Sequence, residues 1–286
     1  MTDLNALLKE YQSLESLADR RALSDDLSDE DKNKFWALVK NSFFIPENKG
    51  EERTDISPSG KYTLKITKYA TGKGTWGYTE GAVYDSEGEF IESLRRNYSS
   101  FPFCWVEGHP NGHDYLIGGE SYMGQTIIEL DTGVKKSTPQ EKHGFCWANI
   151  KNTDKPSVIL VEGCYWGGGY DVVVVDFSDP LSVDWPEIFR SESPTGGSAQ
   201  GLDGNVLKLK GDRFLIQKYE DMDWDEGEHE ELKKLDHLAG QYVDELRGED
   251  LKLVEDIKYE NNLWEDEFCK EISDMEFSVT LEDIPS

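Results

Sequence analysis

Alternating carboxylates on a short polar loop are the first residues in this chain that could do chemistry. Asp221, Asp223 and Asp225 lie in Asp221-Met222-Asp223-Trp224-Asp225-Glu226-Gly227. Oxygens so closely spaced suit calcium, which takes about six to eight oxygen ligands. An EF-hand loop needs Gly at its sixth position and Glu at its twelfth, where this chain has Glu226 and Leu232. The plain alternative is a solvated acidic loop. The expectation is no cofactor, with calcium at Asp221, Asp223 and Asp225 as the alternative.

Other patterns fall short of a catalytic constellation. His109 and His113 flank Pro110-Asn111-Gly112, a turn. Zinc needs several converging ligands, with Cys104 and His143 the nearest additions. Gly119-Glu120-Ser121-Tyr122-Met123-Gly124 is one residue longer than a nucleophile elbow, and it lies between two strand patterns rather than before a helix. Gly72-Lys73-Gly74-Thr75 lacks the rest of a phosphate loop. With no nucleophile–base pair in view, the reading leans away from an enzyme.

Large rings and acids remain. Trp147, Trp166, Tyr165 and Tyr122 recur near strand ends and turns, where rings with polar handles serve interfaces or inter-sheet packing. The formal net charge is −28, and residues 219–286 hold 24 acids against 6 bases. Such a surface repels nucleic acid and anionic membrane and steers towards basic partners. Glu230 and Glu231 are the candidate acidic contacts, with plain solubility as the alternative. Four scattered cysteines (Cys104, Cys146, Cys164 and Cys269) and the absence of a leader pattern point to a reducing, cytoplasmic setting.

The elements that must position these residues are mostly strands. Phe103-Cys104-Trp105 recurs as Phe145-Cys146-Trp147, 42 positions on. Tyr115–Tyr122 recurs loosely as Val158–Tyr165, and Thr126–Asp131 as Val172–Asp176. Asp85, Asp131 and Asp176 each end a β-branched or aromatic run. A near-constant period of this kind marks a stacked or radial β-repeat. It has room for about four short strands per unit. In period and strand pattern, residues 55–220 resemble a WD40-like β-propeller, which implies neighbouring sheets that bury each other's faces.

Flanking segments read differently. Leu4, Leu7, Leu8, Tyr11, Leu14 and Leu17 have helical spacing over residues 3–20, and Ser28 followed by three acids starts a second helix. Residues 1–45 therefore form a helical hairpin, and Pro46–Asp55 a linker. Glu228–Leu246 reads as a helix, with Leu251–Val254 and Phe277–Leu281 as closing strands. The expectation is a mainly β protein: propeller-like antiparallel repeats, an N-terminal helical hairpin, and an acidic α/β part over 221–286 packed on the β-domain. Its expected role is a non-enzymatic interaction module whose acidic surface binds a basic protein, as an inhibitor or nucleic-acid mimic. The alternative is an enzyme or small-ligand-binding propeller with its site at the central mouth.

Overall fold

The computed structural model describes residues 2–72, 76–96, 98–119, 124–138, 144–165, 170–191, 198–222, 230–261, 263, 268–282 and 284–285. The chain is mainly β, with four antiparallel sheets, a helical group at the N-terminus, and a helix and strand near the C-terminus. It divides into two compact units, residues 1–147 and 148–286.

The N-terminal group has three helices where a hairpin of two is expected. They are α1 (Leu4–Ser13), α2 (Leu17–Ala22) and α3 (Asp29–Ser42). The break has a local cause: Ser16 Oγ accepts from the Asp19 amide and starts a new helix. Arg20 ties the break down by donating to Leu14 O at 2.8 Å. Ser28 caps α3 as its sequence implies, accepting from the Asp31 amide at 3.2 Å. Tyr11, Phe35 and Val39 form the buried centre of this group.

Unit 1 continues into two four-stranded meanders. The first holds β1 (Lys49–Ile56), β2 (Tyr62–Tyr69), β3 (Tyr78–Asp85) and β4 (Phe90–Arg96). The second holds β5 (Phe103–Val106), β6 (Tyr115–Gly119), β7 (Gln125–Glu129) and β8 (Lys135–Ser137). The expected linker is thus strand β1. It reads as a linker because it is an exposed edge strand with only Asp55 partly buried, so no apolar alternation marks it. Leu64, Ile66 and Val83 of the first sheet pack with Trp105, Leu116 and Ile128 of the second. One sheet cannot cover its own apolar face, and its neighbour in the chain supplies the cover.

The third sheet repeats the plan with β9 (Cys146–Asn152), β10 (Val158–Cys164), β11 (Asp171–Asp176) and β12 (Glu187–Ser191). Trp105 and Trp147 therefore both stand in the first strand of a four-stranded meander, although Phe103 opens β5 and Phe145 lies just before β9. The closing aspartates do similar work. Asp85 Oδ1 accepts from the amides of Glu87 and Glu89, and Asp176 Oδ1 from that of Ser178, each holding a turn.

The fourth sheet has three strands: β13 (Ser198–Asp203), β14 (Val206–Ile216) and β15 (Cys269–Thr280), in that order. Val158, Leu160, Val172 and Val174 of the third sheet pack against Leu207 and Leu209 of the fourth. Because β14 pairs with β15 from Val206↔Thr280 to Ile216↔Cys269, residues 217–268 are an insertion within one hairpin. The expected strand at Phe277–Leu281 is the end of β15. The one expected at Leu251–Val254 lies instead inside helix α4 (Gly248–Asn261), where Val254 and Ile257 turn one face into the core.

The expected helix over Glu228–Leu246 is a 3-10 segment, Glu230–Leu238, followed by a short 3-10 turn at Val243–Glu245. Leu232, Leu235 and Leu238 are 0%, 0% and 1% exposed. A repeat of three residues matches the three residues per turn of a 3-10 helix, which stacks positions i, i+3 and i+6 on one line.

Candidate functional site

The acidic insertion is built around one buried cation. Arg213 on β14 has a side chain only 6% exposed. Its Nε lies 3.2 and 3.0 Å from the two Asp244 oxygens, and its NH2 donates to Glu245 Oε1 at 2.6 Å. The guanidinium lies 3.7 Å from the Tyr242 ring centroid and 4.6 Å from that of Phe277. Burial works against the charged form, and the two carboxylates outweigh it, so the Arg213 pKa is raised. A short backbone bridge, Leu215↔Tyr242, runs beside this clamp.

With its leucines inward, the insertion sends its carboxylates outward. Glu230 and Glu231 are both exposed. Lys233 donates to Glu230 at 2.7 and 2.8 Å. Among the described residues, no ion pair neutralises Glu231, Glu249, Glu255, Asp256 or Glu260. Tyr259 stands among the last three on α4 and is 79% exposed, the most exposed large apolar side chain described. Sequence reasoning missed Tyr259; the available signal was an aromatic residue between acids on a helix whose leucines and valine face elsewhere.

Of the aromatic candidates, Trp147 and Tyr165 lie among the described residues. Trp147 is 9% exposed on β9. Tyr165 is 56% exposed, with the Arg190 guanidinium 5.7 Å from its ring centroid. Tyr122 and Trp166 lie outside the described residues.

Asp221 is exposed at the end of a 3-10 turn, Tyr219–Asp221, while Asp223 and Asp225 lie outside the described residues. Among the described residues, no group of three or more His, Cys, Asp or Glu side chains is arranged to hold a metal ion. Cys104, Cys146, Cys164 and Cys269 are buried. No helix among the described residues is long and apolar enough to cross a membrane.

A second polar cluster joins the first two sheets. Asp114 accepts from Lys61 Nζ at 2.9 Å, from the Tyr62 hydroxyl at 3.3 Å and from the Gly108 amide at 2.8 Å. Asp131 meets His113 Nδ1 at 2.6 Å and accepts from the Asp114 amide at 3.3 Å. Desolvation first, then the Asp114 and Asp131 charges, push the Tyr62 hydroxyl far above the usual phenol range. Burial likewise pushes Tyr115 up to about 12. Lys61, Tyr62, Asp85, Asp131 and Phe90 line a groove of about 490 Å³ beside this cluster. A His–Asp pair can orient an imidazole for proton transfer. Among the described residues, no hydroxyl or thiol hydrogen-bonds to His113. The pair fastens two turns together.

No family model matches the chain. Over 150 residues, 51% of this chain, it is 40% identical to the uncharacterized protein R762 of Acanthamoeba polyphaga mimivirus, and the match spans 59% of that relative. Among solved structures, prolyl oligopeptidase B from Galerina marginata aligns with a TM-score of 0.42 and 9% identity, covering 60% of this chain and 26% of that one. A bifunctional GH43-CE protein of Bacteroides eggerthii aligns at 0.29 with 12% identity, covering 57% and 23%. Likeness at these levels decides neither fold nor activity.

Proposed function

We propose that this chain is a binding protein in which propeller-like blades form the scaffold and the acidic insertion takes a basic protein partner. One observation carries the reading. The insertion buries its leucines in register and surrounds the exposed Tyr259 with carboxylates that no base pairs among the described residues. An aromatic anchor ringed by polar groups is the anatomy of an interface hot spot, and the charges around it set on-rate and partner choice. Asp244 and Glu245 are spent on Arg213, whereas Glu231, Glu255, Asp256 and Glu260 remain for the partner.

The test is to select ligands for the full chain from a random peptide display library and to measure their on-rates from low to physiological salt. Enrichment in Lys and Arg, on-rates that fall steeply with salt, and weaker binding by Tyr259→Ala and by Glu230→Lys/Glu231→Lys support the reading. Selected peptides without basic enrichment, or on-rates indifferent to salt, overturn it.

A further inference from the structure

The fourth sheet has an unfilled place. In each of the first three sheets a fourth strand (β4, β8 or β12) pairs with the third. In the fourth sheet β15 stands third, and no described strand pairs with its outer side. The ladder shows what that side offers. The Leu281 amide donates to Asn205 O at 2.8 Å, next to the Val206↔Thr280 pair. This sets the phase of the antiparallel ladder. Phe277 and Val279 turn their N–H and C=O groups to β14, and Glu276, Ser278 and Thr280 turn theirs outward. The side chains of these last three residues are also exposed.

The filled sheets show what chemistry suits the place. On β4, Arg95 lies opposite Glu80 of β3 and donates to it at 2.7 Å. On β12, Arg190 donates to Asp171 of β11 at 2.6 Å. The fourth strand β8 begins with Lys135 and Lys136. In the first and third sheets a base on the fourth strand meets a carboxylate on the third, whereas Lys135 of β8 turns to Glu92 of β4. On β15, Glu276 has no ion pair among the described residues, and Lys210 is engaged with Asp274 at 3.3 Å.

From this juxtaposition we infer that the outer edge of β15, from Glu276 to Thr280, accepts an extended basic segment of a partner protein as the fourth strand of the sheet. Main-chain hydrogen bonds supply the affinity, and alternate Lys or Arg side chains meeting Glu276 supply the selectivity. A second copy of β15 suits the edge less well, because paired antiparallel about Ser278 it sets Thr280 opposite Glu276 and brings that carboxylate no base. The bulge at Gly211/Arg213, with Asp274 at φ 58°, ends the regular ladder and confines docking to the last stretch of the strand. The inference rests on the basic-partner reading for partner class, and adds the sheet edge to the insertion as a second contact.

The experiment uses the full chain and a synthetic peptide as long as β15, alternating Arg and Thr. A control peptide is N-methylated at every second residue, which removes one edge of donors. Binding is followed by fluorescence anisotropy and by amide hydrogen exchange. The expected result is new protection at the amides of Glu276, Ser278 and Thr280, with affinity about tenfold weaker for the methylated peptide. Ser278→Pro removes an outward N–H at an edge position that tolerates proline, and should weaken binding similarly. Should that variant misfold, the methylated peptide still decides the matter. Equal binding of both peptides, protection at the insertion alone, or no binding overturns the strand-addition inference. Protection on β15 that survives Glu230→Lys/Glu231→Lys and Tyr259→Ala upholds strand addition while removing the insertion as the docking face.

Discussion

The ring of Phe101 occupies the space where a side chain on Gly81 would stand. A Cβ built at Gly81 would overlap Phe101 Cζ, lie 3.0 Å from Cε1 and 3.1 Å from Leu64 Cδ1. Gly81 sits in the middle of β3, where glycine ordinarily weakens a strand. Here its bare Cα lets an aromatic ring close the core between two sheets. Gly81→Ala should destabilise unit 1 by about 1–3 kcal/mol through overpacking. Combining it with Phe101→Leu should recover part of that loss. Chemical denaturation of the two single variants and the double variant measures the coupling, and strict additivity would sink the account.

Trp105 donates its indole N–H to Asp55 Oδ1 at 2.7 Å. The bond joins the first strands of the first two sheets. Trp105→Phe keeps an apolar ring and leaves the part-buried carboxylate without that donor. The expected loss is about 1–3 kcal/mol, the cost of an unmet buried acceptor together with lost ring area. A loss confined to the apolar area would be matched by Trp105→Phe in an Asp55→Ala background, so comparing the two backgrounds separates the terms.

Leu235 is the middle member of the buried triplet on the 3-10 segment. Leu235→Ala should cost about 2–5 kcal/mol by opening a cavity. Lys234→Ala beside it, on the exposed side, should stay within about 0.5 kcal/mol of the parent. Urea midpoints of the two variants check the contrast. Similar small effects would mean that the insertion is not packed as one core with Phe214, Ile216 and Phe268.

His113 titrates above its ordinary range because Asp131 holds its proton, with the Glu129 and Asp114 charges adding to the effect. A folded pKa above the unfolded one means stability that is full below the unfolded value and lost as pH rises through the folded value. The difference in melting temperature between the parent and His113→Gln should therefore be largest below about pH 6.5 and shrink as the solution turns alkaline. NMR titration of the imidazole should show its pKa falling on Asp131→Asn. A pKa unmoved by that substitution would remove the pair from the account.

By itself the sequence determined the strands and caps whose signals lie among near neighbours. The Phe-Cys-Trp recurrence marked the first strands of two meanders, because a buried strand writes its period into consecutive residues. Ser28 marked the start of α3, because a cap is a contact three residues long. Leu232, Leu235 and Leu238 showed one apolar line, which α and 3-10 geometry both allow over so short a run, and tertiary packing chose between them. Leu251–Val254 is as apolar as a strand, and only the core around Val254 and Ile257 made it helical. The pairing of Val206 with Thr280 lies across the whole insertion. No local pattern encodes it, because the cost of closing that loop is met by the ladder and the buried leucines together. That closure made residues 217–268, most of the expected acidic α/β part, an insertion clamped through Arg213.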